Sequence, residues 1–97
     1  MKTYIVTLNV KVPQELKSKE KIRNYLIEQK KKLLEQLAPA LEDLIVKSPG
    51  TIISGQELLF PLIFIKSEEN VNHLMSEFTD LIISVKNLTE EEISFNV

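Results

Sequence analysis

The amino-acid sequence predicts a single α+β domain, because short alternating apolar segments flank two stretches with helical spacing. Its 97 residues fall within the usual size of one domain and are too few for two independent cores. They are 43% hydrophobic and 27% charged, a composition that is sufficient for one globular core. A domain this small buries only about 60–65% of its unfolded surface, so its stability margin is thin. We therefore expect one domain over residues 1–97, for which self-association would be a natural source of extra stability.

The first predicted element is a β-strand over residues 3–12. Apolar and mostly polar side chains alternate there, as in a strand with one buried face. The predicted buried face carries Tyr4, Val6, Leu8, Val10 and Val12. Pro13 ends the strand, because proline has no N–H to donate to a sheet ladder.

A long helix is predicted next, with Ser18 as its N-cap. Eight apolar side chains fall on an arc of roughly 200°, about twice the width that a helix on a sheet needs. They are Ile22, Tyr25, Leu26, Ile27, Leu33, Leu34, Leu37 and Leu41. Pro39 interrupts the spacing, so we expect this helix to end near Ala38 and a second turn or helix to run over residues 39–46.

The middle of the chain reads as turn, strand, turn and strand. Residues 48–51, Ser-Pro-Gly-Thr, are a strong turn signal. A brief strand at residues 51–54 and a turn at Gly55 lead to the main hydrophobic strand, predicted at residues 57–66. As an alternative, residues 44–47 could form a strand that pairs with residues 51–54, since periodicity alone does not decide so short a stretch.

A second helix is predicted from Ser67 to about Lys86, because Glu68 and Glu69 suit a helix N-terminus and apolar side chains then recur at helical spacing. Residues 93–97 alternate again and predict a closing strand. The predicted order, strand–helix–strand–strand–helix–strand, is that of the ferredoxin-like βαββαβ sandwich. In it, two main helices lie on one face of a four-stranded antiparallel sheet.

Residues that carry chemistry are scarce. The chain has no cysteine, and its only histidine, His73, has no second nitrogen or sulfur ligand with which to bind a metal. Its two glycines belong to no phosphate-binding pattern. Adjacent carboxylates on a helix point about 100° apart and do not chelate as a pair. We therefore predict a non-enzymatic protein without catalytic residues, metal or cofactor.

The location expected from the sequence is cytoplasmic. The longest apolar run covers residues 58–65, whereas a membrane helix needs about 20 residues. The first twelve residues alternate instead of forming the basic and then apolar regions of a signal peptide.

A basic segment precedes and enters the first helix. It contains Lys17, Lys19, Lys21, Arg23, Lys30, Lys31 and Lys32, which could bind an anion or a nucleic-acid backbone. The single arginine, the net charge of −2 and the lack of an accompanying aromatic series favour a solvated helix face instead. Binding of nucleic acid is thus the alternative function.

A surplus of apolar residues is the strongest positive signal. The strand predicted at residues 57–66 is apolar on both faces and calls for cover on both. Together with the wide helix face, it predicts a homodimer whose contact surface includes Tyr25, Leu34, Leu41, Leu59, Ile63 and Ile65. The function predicted first is a small interaction or regulatory module that binds a protein partner. Accessory proteins of phages, viruses and mobile elements are often of this kind.

Overall fold

The computed structural model describes residues 1–88, and the closing strand predicted at residues 93–97 lies outside them. Six elements follow one another along the chain. They are β1 (Lys2–Leu8), α1 (Lys19–Lys47), β2 (Ile52–Ser54), β3 (Leu62–Ser67), α2 (His73–Glu77) and β4 (Ile82–Asn87).

The strands form one four-stranded antiparallel sheet in the order β2-β3-β1-β4. Tyr4 in the centre of this sheet lies opposite Ile65 of β3 on one side and Asn87 of β4 on the other. Both β1 and β2 are antiparallel to β3, so they are parallel to each other and separated by it. The fold is therefore of the α+β class.

One face of the sheet forms the core with both helices. Tyr4, Val6 and Leu8 of β1 are buried at alternating positions, which confirms the predicted inward face of this strand. The other buried apolar side chains of this cluster are Leu37 and Leu44 of α1, Ile63 and Ile65 of β3, Val71, Leu74 of α2, and Ile82 of β4. β1 ends at Leu8 and not at residue 12, and Val12 is exposed.

α1 is one continuous helix that contains Pro39, so the predicted break at Ala38 and the alternative strand at residues 44–47 are both wrong. Ser18 caps its start as predicted and accepts a hydrogen bond from the Lys21 N–H. An interior proline costs about 3 kcal/mol. Leu37 and Leu44, on either side of Pro39, are both buried against the sheet, and their burial outweighs this cost.

The N-terminal part of α1, residues 19–29, contributes no side chain to the core cluster. We call it the α1 extension. At 1.5 Å per residue it is about 16 Å long. Lys19 and Arg23 lie on the same side of the helix as the buried Leu37 and are nevertheless exposed. The core-side surface of the extension is therefore exposed at Lys19 and Arg23 and only half-buried at Ile22 and Leu26.

The apolar run at residues 58–65 is divided, because β3 begins only at Leu62 and residues 57–61 form turns and bends. Pro61 lacks an N–H, and the Phe60 carbonyl accepts a hydrogen bond from the Leu62 N–H in a tight turn. The prediction of a strand from residue 57 is wrong at this end. The run instead supplies an exposed loop and a strand with one fully buried face.

The helix predicted from Ser67 to Lys86 is also wrong in extent. α2 covers only His73–Glu77 and ends where the Phe78 N–H donates to the Leu74 carbonyl. Ile82–Asn87 pairs with β1 as β4, and its β-branched side chains suit a strand. Partnership with the central strand thus overrides the helical spacing of this segment.

Candidate functional site

A groove of about 560 Å³ lies between α1 and the loop that joins β2 to β3. We call residues 55–61 the 55–61 loop. The groove is lined by Ile27, Lys30, Lys31, Leu34, Glu35 and Ala38 of α1 and by Gln56, Glu57 and Leu58 of the loop. Its volume is in the range of ligand pockets, and its apolar walls resemble those of such pockets.

The helical wall is a single stripe. Ile27, Lys31, Leu34 and Ala38 follow one another at intervals of four, three and four residues. At 100° per residue they fall within an arc of about 60°. The aliphatic side chains of this stripe form the wall of the groove, and the charged end groups of Lys31 and Glu35 belong to exposed residues at its edge.

Lys30 holds the opposite wall in place. This residue is only 3% exposed, and its Nζ donates to the carbonyl oxygens of Gly55 at 2.6 Å and Leu58 at 2.8 Å. The ammonium thus satisfies the buried Gly55 carbonyl and the partly buried Leu58 carbonyl, and it ties the 55–61 loop to α1. Burial lowers the pKa of the Lys30 side chain below its ordinary value, and the nearby Glu57 carboxylate opposes part of that shift.

The loop itself is closed by backbone contacts. Gly55 has a φ of +84°, and an added Cβ would come within 3.0 Å of the Phe64 ring. This residue must therefore be glycine for reasons of both backbone conformation and space. The Leu58 N–H donates to the Gly55 carbonyl, and the Pro61 carbonyl accepts from the Leu8 N–H of β1. A loop held at both ends presents Leu59 and Phe60 in a defined position.

Phe60 is the most exposed aromatic residue that we find on this part of the surface. It is 67% exposed and follows the groove-lining Leu58 by two positions. Leu59, between them, is 40% exposed. A ring left this open beside an apolar groove is unfavourable in a free monomer.

The predicted self-association residues are only partly brought together. Leu59 is exposed on the loop and Leu34 lines the groove. Ile63 and Ile65 are fully buried in the core and are not available for contact with another molecule. Tyr25 and Leu41 are half-buried, and Leu41 packs against the core.

The predicted basic patch is divided by the structure. Lys30 is buried in the wall of the groove and does not share a surface with the others. Lys19 and Arg23 lie on the same side of α1 as Lys30, whereas Lys21 and Lys32 lie on the opposite side. Lys32 also approaches Glu28 at 3.9 Å. Two further members of the patch, Lys17 and Lys31, are exposed, the first before α1 begins and the second at the edge of the groove.

His73 is exposed at the start of α2, where its Nδ1–H donates to the Asn70 carbonyl at 2.9 Å. It borders a small depression of about 100 Å³ that is also lined by Asp43, Lys47, Glu69 and Glu77. Within residues 1–88, no three histidine, cysteine or carboxylate side chains are grouped so that they could hold a metal ion.

Sequence reasoning missed Ile27 and Ala38 as groove residues, and it missed the wall formed by Gln56, Glu57 and Leu58. One signal was present. Lys30 stands in line with Leu26, Leu33 and Leu37, so a single lysine interrupts the apolar stripe of α1. A lysine at such a position has to find hydrogen-bond acceptors, and a neighbouring loop is where they would be.

No helix in the described part of the chain combines the length and the apolar character required to cross a bilayer. Comparison with protein-family models, with curated proteins and with solved structures finds no match to this chain.

Proposed function

We propose that this protein is a non-enzymatic interaction module, homodimeric and able to bind a protein partner through the groove and the loop beside it. The groove surface is defined here as Ile27, Leu34, Ala38, Leu58, Leu59 and Phe60. The observation that carries the proposal is the exposed Phe60 ring next to an apolar groove of about 560 Å³. Aromatic anchors beside fitting pockets account for much of the free energy of protein association.

The rigidity of the surface supports the same reading. Lys30 fixes the loop to α1 through two hydrogen bonds, and the β-sheet holds the end of the loop through the Pro61 carbonyl. A surface that is ordered before binding loses little conformational entropy on association. The groove surface is therefore suited to a partner that docks on a preformed shape.

We also propose that the fold is ferredoxin-like. The order β2-β3-β1-β4, with β1 and β2 parallel on either side of β3, agrees with a split βαβ unit. This architecture hosts many unrelated activities, so it adds no argument about function. The cytoplasmic location expected from the sequence stays a prediction.

Affinity purification from the native host tests the proposed function. Wild-type protein, Phe60→Ser and Val46→Ser serve as baits. Val46 is an apolar residue of α1 that is 77% exposed and lies outside the groove, so its variant is the matched control. We expect a protein that the wild type and Val46→Ser retain and that Phe60→Ser loses. Once that protein is identified and purified, it must also bind directly to the wild type and to Val46→Ser and fail to bind to Phe60→Ser. Equal retention by all three baits would contradict the proposal.

A further inference from the structure

We propose that the groove surface binds a second copy of this chain across a two-fold axis, with Phe60 of each protomer inserted into the groove of the other. This inference rests on the proposed function and names the partner of that same surface. It concerns the groove, the 55–61 loop and the adjoining α1 extension, all within the described residues.

The first argument is that one surface carries both halves of the contact. Phe60 projects from the same loop whose preceding residue Leu58 lines the groove, and their Cα atoms are at most about 7.6 Å apart. A two-fold contact requires a patch that is complementary to itself. A projecting ring adjacent to a groove meets this condition, since an axis between them places each ring over the opposite groove.

The second argument concerns chemistry inside the groove. Its apolar walls are formed by Ile27, Leu34, Ala38 and Leu58, which suit an aromatic ring. The one buried polar side chain of the lining, Lys30, already has its ammonium hydrogen-bonded to two carbonyls. Insertion of Phe60 therefore does not leave this ammonium without a partner, which is a common penalty for filling such a site.

Charge at the rim is also compatible with a self-contact. The exposed rim residues carry both signs, with Lys31 against Glu35 and Glu57. In a two-fold contact each protomer brings its own lysine and carboxylates, so opposite charges can face each other across the interface. A rim of one sign only would repel its own copy.

The surface area that a stable dimer buries shows that more of the chain than Phe60 and its neighbours must take part in the contact. A stable interface buries about 800 Å² on each partner, more than the ring and its two neighbouring leucines provide. The α1 extension reaches the groove at Ile27 and contributes about 16 Å of helix outside the core. The proposed contact therefore also runs along the extension, where it includes the half-buried Tyr25.

A foreign helix lying in the groove is the competing occupant. It would cover the stripe from Ile27 to Ala38 but would leave Leu59 and Phe60 of this chain in water. A second copy covers both the groove and the ring in one contact. The observations thus favour self-association.

The first measurement is the mass of the full chain by size-exclusion chromatography with light scattering over a dilution series. We expect twice the single-chain mass for wild type and Val46→Ser. Phe60→Ser removes a buried ring from each half of the contact, so its dimer should be weaker by a factor of about 100. Circular dichroism confirms that each variant is folded. A wild-type monomer at every concentration overturns the proposal, as does equal dimerisation of Phe60→Ser and Val46→Ser.

The second measurement tests reciprocity. Ala38→Glu places a carboxylate in the groove and leaves Phe60 intact, while Phe60→Ser leaves the groove intact. Each variant alone has two defective half-contacts, but a mixed dimer has one intact half. We expect native mass spectrometry of an equimolar mixture to show a heterodimer at concentrations where neither variant dimerises alone. If no heterodimer forms in the mixture, the proposed reciprocal contact is wrong.

The two experiments separate this inference from the proposed function. If the wild type is a monomer and yet loses a purified foreign partner on Phe60→Ser, the groove surface binds a protein other than its own copy. If Phe60→Ser changes neither self-association nor partner binding, the proposed function fails as well.

Discussion

Replacement of Lys30 by methionine is the most direct test of how the groove is built. Methionine keeps most of the length of the side chain but has no N–H groups, so the Leu58 carbonyl loses the ammonium and the Gly55 carbonyl keeps only the Leu58 N–H as donor. Hydrogen bonds from a charged donor contribute about 1.5–3 kcal/mol each, and burying an ammonium costs several kcal/mol. The two effects oppose each other, and we expect Lys30→Met to lower the free energy of unfolding by about 2 kcal/mol.

Urea unfolding followed by circular dichroism measures this loss. For a small domain the denaturant slope is about 1–2 kcal/mol/M, so the midpoint should fall by about 1–2 M. Lys32→Met is the matched control, because Lys32 is exposed and its ion pair with Glu28, at 3.9 Å, contributes at most about 0.5 kcal/mol. Amide hydrogen exchange should also quicken at Leu58, whose N–H closes the loop. If Lys30→Met destabilises the chain no more than Lys32→Met, Lys30 does not anchor the loop.

Two further predictions concern α1. Burial lowers the pKa of Lys30 in the folded chain, so between that lowered pKa and the ordinary value of 10.5 the unfolded chain binds this proton more strongly. The unfolding free energy of wild type relative to Lys30→Met should therefore rise with pH over this window in urea titrations, and a constant difference would contradict the shift. Pro39→Ala restores an N–H that can donate to the Glu35 carbonyl and should raise the unfolding free energy by about 1–2 kcal/mol in thermal melts. A lower melting temperature would mean that this proline stabilises the helix.

Short-range sequence patterns predicted correctly those elements whose burial in the fold follows their own periodicity. β1 alternates because one of its faces is buried, and Tyr4, Val6 and Leu8 are buried as predicted. The same reasoning failed at Pro39, where local preference would end the helix. Packing of Leu37 and Leu44 against the sheet continues it. That packing depends on residues far away in the sequence, so a local window does not contain it.

The candidate site was less predictable than the fold, because it depends on where the chain turns. The apolar run at residues 58–65 predicted a strand that is apolar on both faces. In the structure Pro61 divides it, so Phe60 becomes exposed while Ile63 and Ile65 enter the core. The number of apolar residues indicated an apolar surface correctly, but their placement required the loop. Lys30 shows the same limit, since its acceptors are 25 and 28 positions further along the chain.

The sheet order has a consequence for synthesis on the ribosome. β1 is synthesised before its two neighbours in the sheet, β3 and β4. Tyr4 cannot pair with Asn87 until that residue has been added to the chain. At about 5–20 residues per second, the roughly 80 residues between them take about 4–16 s to translate. Throughout that interval β1 offers unpaired backbone groups and an apolar side to solvent or to any factor near the tunnel exit. The strand that holds the finished sheet together is thus the part of the nascent chain that most needs protection.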